Sequence, residues 1–237
     1  MFVSIFLALA TAVQSPQVQA QPPAGSSSAA EAAVSDDSAQ VDKAYEFIHS
    51  SQPAEALPLL DGVIGRSQAR YAAEKRQIYT ARSPAETLYY TGLAASQKRS
   101  AVVIDENWSL AIFLKGFALI DLNRADEAKP LFDQAIAMAP MNSHYLGERA
   151  EWYKSRRDWP NAYAEFLRAA EAADLSPDDS KSFDKRRGWR GMAYVRIEQG
   201  KLDEAATLLR RALALDPTDA GAQHELDYIK SVRAKTN

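Results

Sequence analysis

The chain has 237 residues, 46% of them hydrophobic and 25% charged, with a net charge of -3. That length can bury one large core or two small ones, and the composition is that of a soluble globular protein. The charge balance offers no basic surface for nucleic acid, and with no cysteine there is no disulfide framework, thiol chemistry or lipoprotein attachment site.

Taken in chain order, the first feature is an apolar run from Phe2 to Val13. It is long enough for a signal-peptide core and too short to span a bilayer. Val18 and Ala20 hold the small-residue positions of a cleavage site, with the cut before Gln21, although no Lys or Arg precedes Lys43. Residues 1–20 are therefore read as a signal peptide and the protein as periplasmic or secreted. An uncleaved segment would anchor it, and a mis-assigned start would leave it cytoplasmic. Residues 21–38, rich in Pro, Ser, Gly and Ala, read as a flexible linker.

Beyond the linker the chain repeats itself. "EALPLLDGVI", from Glu55, returns as "EAKPLFDQAI", from Glu127, with Pro58 and Pro130 in matching places. Each proline is expected just past the first turn of its helix, where about one backbone bond is lost. Aligned on the alanine, the copies give Ala56, Leu60 and Val63; Ala128, Phe132, Ala135 and Pro140; Ala162, Phe166 and Ala169; and Ala205, Leu209, Ala212 and Pro217. A small residue stands twelve positions upstream in three copies, at Gly116, Ala150 and Ala193, and Gly200 marks a turn between helices. Small residues there let two helices approach, and the large residue four after the second small site fills the gap.

Residues 71–108 fit less well. "ARYAAEKRQIYTA" reads as a helix ending near Arg82, and "SPAETLYYTGLAASQ" as a second one opened by Ser83 and Pro84. Ala94 and Ala101 keep the repeat spacing to Ala128 and Ala135, but Lys98 and Glu106 break the pattern, so a distorted repeat is expected. At the far end Leu226, Ile229 and Val232 mark a capping helix over 219–234.

Small residues at positions 8 and 20, aromatic or leucine at 24, alanine at 27 and proline at 32 make this pattern resemble the tetratricopeptide repeat. Repeats fall near 37–70, 109–142, 143–176 and 186–219, with 71–108 irregular. Asp174 replaces one closing proline, Pro177 comes three residues late, and Arg196 sits where an aromatic is usual. The resemblance implies an all-α, right-handed superhelical solenoid of antiparallel helix pairs over 39–237, with nine to eleven helices.

It also implies a concave side lined by the first helix of each repeat, at positions 2, 5, 9, 12 and 13. These are Leu110, Phe113, Phe117, Ile120 and Asp121; then His144, Gly147, Glu151, Lys154 and Ser155; then Arg187, Arg190, Tyr194, Ile197 and Glu198. Leu110, Phe113, Phe117, Ile120 and Tyr194 are the candidate apolar and aromatic contacts, and Lys154, Arg187 and Arg190 the candidates for a partner's carboxylates. The family's chaperone-tail clamp uses asparagine at position 9, where this chain has Phe117, Glu151 and Tyr194.

His49, His144 and His224 are scattered, and Asp36–Asp37 and Asp178–Asp179 precede helices as capping acids would. "YKSRRDWP", from Tyr153, falls at an inter-helix turn, where charge is normal and Trp159 staples the turn. No phosphate loop, nucleophile elbow or metal cluster is visible, so neither an enzyme, a cofactor nor a metal is expected. The expected role is a scaffold binding a protein or peptide in the concave groove, in the bacterial envelope. Membrane contact would come through a partner or an uncleaved N-terminus. The alternatives are an assembly or regulatory subunit of a membrane complex and a cell-wall-associated accessory protein.

Overall fold

The computed structural model describes residues 27–236, so the expected signal peptide at 1–20 lies outside the described residues. The elements run α1 (Ser27–His49), α2 (Pro53–Arg70), β1 (Gln77–Thr80), α3 (Pro84–Ser96), β2 (Ala101–Ile104), α4 (Asn107–Asp121), α5 (Ala125–Met138), α6 (Ser143–Ser155), α7 (Trp159–Ala172), α8 (Asp178–Glu198), α9 (Leu202–Leu215) and α10 (Ala220–Thr236). Helices pair as α1–α2, α4–α5, α6–α7 and α8–α9, with α10 closing the far end as the expected cap.

The turns inside the pairs show the repeat most directly. Ser51, Asn123, Arg157 and Gly200 each follow the first helix of a pair, and each has a left-handed φ between 56° and 71°. After each, the next amide reaches back five residues: Gln52 N–H to Phe47 O, Arg124 to Leu119, Asp158 to Tyr153 and Lys201 to Arg196, at 2.8–3.0 Å. This closure satisfies the helix's last carbonyls and reverses the chain. Pro58 and Pro130 are each the sixth residue of their helix, and both are exposed. Such a proline removes one bond near the helix start and leaves the rest of the ladder intact.

The helices meet closely at the expected small residue Gly116 and at Gly191, which stands two positions before the expected Ala193. A Cβ on Gly116 would stand 2.8 Å from the Phe132 ring, and one on Gly191 2.3 Å from the Phe166 ring. Phe132, Phe166, Leu60 and Leu209 are all fully buried. The wide step between the third and fourth repeats is absorbed by a short 3-10 turn, Ala173–Leu175, and by lengthening α8 to 21 residues against 13 in α6.

Two expectations need correction. Residues 27–38 are not linker, because α1 begins at Ser27; linker residues 21–26 lie outside the described residues. The Ala-rich stretch favours helix, and Asp37 anchors it. Its fully buried carboxylate accepts from Arg66 Nε at 2.8 Å and Arg70 Nη2 at 2.9 Å, both on α2. A buried carboxylate with two guanidinium partners holds the helix in place.

Residues 71–108 are not a distorted helical repeat either. The first expected helix is replaced by turns and β1, and α3 connects β1 to a parallel β2, with Gln77 opposite Ala101 through Thr80 opposite Ile104. "QIYT" and "AVVI" are rich in β-branched and aromatic residues, and parallel strands require a crossover such as α3. Its start matches expectation, since Ser83 Oγ accepts from Glu86 N–H and Pro84 opens the helix. The unit is an insertion: α2 packs directly on α4, so the helical stack continues past it. It is fastened where Thr80 Oγ1 donates to Ser109 Oγ at 2.7 Å and Met141 N–H to Tyr90 Oη at 3.2 Å. Tyr79 and Tyr90, both buried, stack at 5.2 Å beneath α3.

Two substitutions probe this architecture from opposite sides. Gly191→Ala forces a methyl into the Phe166 ring and is expected to destabilise the fold by about 1–3 kcal/mol. Arg157→Gly relieves a left-handed backbone and is expected to stabilise it by about 0.5 kcal/mol. Urea unfolding midpoints measure both.

Candidate functional site

Successive first helices touch, α1 against α4 and α6 against α8, with Phe113 of α4 stacked on Tyr145 of α6. Among the described residues, no contact between successive second helices is as extensive as the first two. The first helices therefore lie on the inner, shorter-radius side of the solenoid. The expected groove residues divide there into two groups.

The half formed by positions 2 and 5 is filled by the protein itself. Phe113 is 1% exposed and is not a surface anchor. Its ring stacks on Tyr145 at 4.5 Å, meets His144 edge-on at 5.1 Å and lies 5.6 Å from Phe132. Leu110 is half-buried against the same core. Arg187 is likewise engaged: Nη2 donates to Glu148 Oε1 at 2.5 Å and Nη1 to His144 Nδ1 at 3.2 Å. Arg190 Nη1 donates to Asp219 Oδ1 at 3.1 Å, Arg186 Nη1 to Asp219 Oδ2 at 2.6 Å, and Oδ1 in turn accepts the Ala222 N–H at the start of α10. The two arginines expected to take a partner's acids instead tie α8 to α6 and to the cap.

Because arginine can only donate, its bond to Nδ1 requires a neutral His144. Burial and the adjacent Arg187 charge hold its pKa down to about 3. Burial pushes the Glu148 carboxyl up, against the pull of Arg187.

The half formed by positions 9 and 12 is only partly covered, with Phe117 and Ile120 leaning on the same core and keeping one side exposed. Phe117 and Ile120 on α4, Lys154 on α6 and Tyr194 on α8 are all partly exposed. Lys154 is bonded to Glu151 and stands 4.7 Å from the Tyr194 ring centre. Tyr194 is flanked by Trp159, whose ring lies 6.4 Å away. Tyr45 on α1 takes the equivalent place in the first repeat; it is 52% exposed and packs on His49 at 4.1 Å. Position 9 thus gives an inner row of Tyr45, Phe117, Glu151 and Tyr194. Carrying position 9 onto the 37–70 copy would have identified Tyr45. Nothing in the repeat pattern signals Glu148 or Asp219, because the arginines that hold them come from helices across the interface.

Models of the tetratricopeptide repeat match residues 110–142 and 186–226. The Hsp70-Hsp90 organizing protein of Triticum aestivum is 30% identical over 120 residues, 51% of this chain, and the chain spans 19% of that relative's length. Among solved structures, pilF of Pseudomonas aeruginosa is similar with a TM-score of 0.60 at 10% identity, covering 86% of this chain and 72% of that one. MamA of RS-1, solved as a double mutant, gives 0.53 at 13% identity, covering 84% and 85%. These structural likenesses are of fold.

The neutral, enclosed His144 carries a pH signature. Its pKa is lower in the folded than in the unfolded chain, so the unfolded state binds the extra proton and stability falls as pH drops from about 6.5 towards 3. The loss is on the order of 2 kcal/mol at pH 5, and the raised Glu148 opposes it at the lower end. His144→Gln keeps an acceptor for Arg187 without the titration. Its melting temperature is expected to fall less between pH 7 and pH 5 than that of the wild type, as calorimetry can measure.

Proposed function

This is a tetratricopeptide-repeat protein, and we propose that it is a non-catalytic scaffold receiving an extended protein segment along Tyr45, Phe117, Ile120, Glu151, Lys154 and Tyr194. The observation that carries this reading is the exposed or partly exposed row on the inner side, aromatic at three of the four first helices, beside a half of the groove closed by packing. Exposed aromatics held by a rigid helical array bury a large area on binding at low entropic cost. The Lys154–Glu151 pair at mid-row would orient polar groups of the partner.

The wheat relative's name speaks of Hsp70 and Hsp90, but Phe, Glu and Tyr occupy the places where the clamp's asparagine would stand. A partner of apolar and mixed character therefore suits this row better than an acidic tail. Export to a bacterial envelope belongs to the same proposal, supported by the Phe2–Val13 run and the Val18–Ala20 site. An N-terminus at Gln21 in the mature protein would bear it out, and an intact Met1 in soluble cytoplasm would remove it.

A photo-crosslinking residue placed at Phe117 or Tyr194 is expected to capture the same partner in cells. One at Leu167, exposed on the second helix α7, should capture little of it. Equal capture from Leu167 would move the binding site to the convex side. Retention on peptidoglycan with no protein adduct would favour the cell-wall role. With the partner in hand, Phe117→Ala with Tyr194→Ala is expected to weaken binding about a hundredfold, from two buried aromatic contacts.

A further inference from the structure

The inserted unit ends in an open edge. Gln77 N–H donates to Ser100 O at 2.9 Å and Ala81 N–H to Ile104 O at 3.0 Å. With Gln77 opposite Ala101, these bonds set the alternation of the parallel ladder. Val102 and Ile104 turn their backbone groups to β1, and Ala101 and Val103 turn theirs outward. Among the described residues, no hydrogen bond reaches the outward groups of Ala101 and Val103, and the sheet has just these two strands. Natural edges are usually blunted by proline, a bulge or a charge within the strand; Ala101–Ile104 has no proline and no charge.

Charge flanks this edge with opposite sign at its two ends. Exposed Lys98 and Arg99 precede the strand, and Asp105 and Glu106 follow it. Among the described residues, neither Lys98 nor Arg99 forms an ion pair. An antiparallel copy of the same strand would place each basic end against an acidic one. The helix above the sheet is equally unusual. The charge on α3 is Glu86, which is fully buried, while Ala85, Leu88, Tyr89, Gly92 and Ala95 are all exposed. Leu88 is 75% exposed. A surface helix with no exposed charge is characteristic of a contact face.

We propose that β2 is a self-association edge, and that its occupant is the β2 of a second copy of this chain, paired antiparallel across a twofold axis. Directly opposed residues share a face of the sheet, so the axis must pass through a residue pair. Centred on Val102, the pairing makes Ala101 and Val103 exchange their outward hydrogen bonds. It also brings the end that carries Lys98 and Arg99 beside the partner copy's end that carries Asp105. Centred on Val103, it would set Ala101 opposite Asp105, which lies beyond the end of the strand, so the ladder selects Val102. The four-stranded sheet that results brings the two α3 helices onto the same face, because α3 packs on the face of Tyr79, Ala101 and Val103. Leu88, Tyr89 and Gly92 supply the uncharged surface for that approach.

The natural absence of cysteine makes the test clean. In a non-hydrogen-bonded antiparallel pair the two Val102 Cα atoms stand about 4.5 Å apart, within disulfide reach. The full chain carrying Val102→Cys is expected to form a reducible dimer under mild oxidation, and one carrying Gln97→Cys is not. Val103→Pro removes an outward donor and leaves the ladder to β1 intact. It should weaken self-association measured by sedimentation about thirtyfold, the worth of two hydrogen bonds. Arg99→Glu and Asp105→Arg should each sediment as monomers, and an equimolar mixture of the two should restore a dimer. The proposal fails if the wild-type chain is monomeric across the micromolar range. It fails equally if Val102→Cys crosslinks no faster than Gln97→Cys, or if the charge variants stay monomeric when mixed.

Discussion

Everything in this solenoid hangs on aromatic rings lying where side chains are missing. Phe132 occupies the space a methyl on Gly116 would need, and Phe166 does the same at Gly191, so the helix axes come together at these points. A close-packed contact of this kind tolerates little change of volume on either side, which is why the repeat keeps small and large residues at fixed separations. The left-handed residues at 51, 123, 157 and 200 complete the constraint by returning the chain at a fixed point after each first helix. Given these two features, each helix pair docks on the next in one way, and a concave face follows from the curvature.

The pairing of small and large residues is a property of sequence spacing, and so the solenoid was readable in advance, down to the cap and the two prolines. The misreadings share a physical cause. Alanine and serine with a few acids are compatible with both a linker and a helix. What decided for helix at 27–38 was a buried ion pair between Asp37 and two arginines some thirty residues later. "QIYT" and "AVVI" are four residues each, too short for alternation to stand out, and each completes the other through a parallel pairing that no local pattern encodes. Phe113 was placed correctly on its helix. Its neighbours Tyr145 and His144 come from the next repeat and close over it, an event of packing that position numbers do not carry.

Charge follows the same division. Arg187 and Arg190 looked like free cations because their acids, Glu148 and Asp219, belong to α6 and to the turn before α10. Partly buried arginine–carboxylate pairs of this kind fix geometry more than they add stability. Here they set how the last repeat and the cap sit on the middle of the stack. The cost is that the basic section of the inner face is already neutralised, which leaves the aromatic row beside it as the proposed place of recognition.

The insertion connects these observations. It enters between α2 and α4 without separating them, and its side chains meet the starts of α4 and α6 through Thr80–Ser109 and Tyr90–Met141. Ser109 Oγ lies in turn 3.3 Å from the Tyr145 hydroxyl, and the Tyr145 ring covers Phe113. The small sheet therefore braces the residues that close one half of the groove. It does so with its inner strand, since β1 faces α5 and β2 carries the outward ladder. One unit thus shapes the inner surface of its own chain while leaving a second, chemically different surface exposed. The binding proposed along the helices and the pairing proposed along the strand use separate residues, so a solenoid built this way could present two grooves in one assembly without either contact obstructing the other.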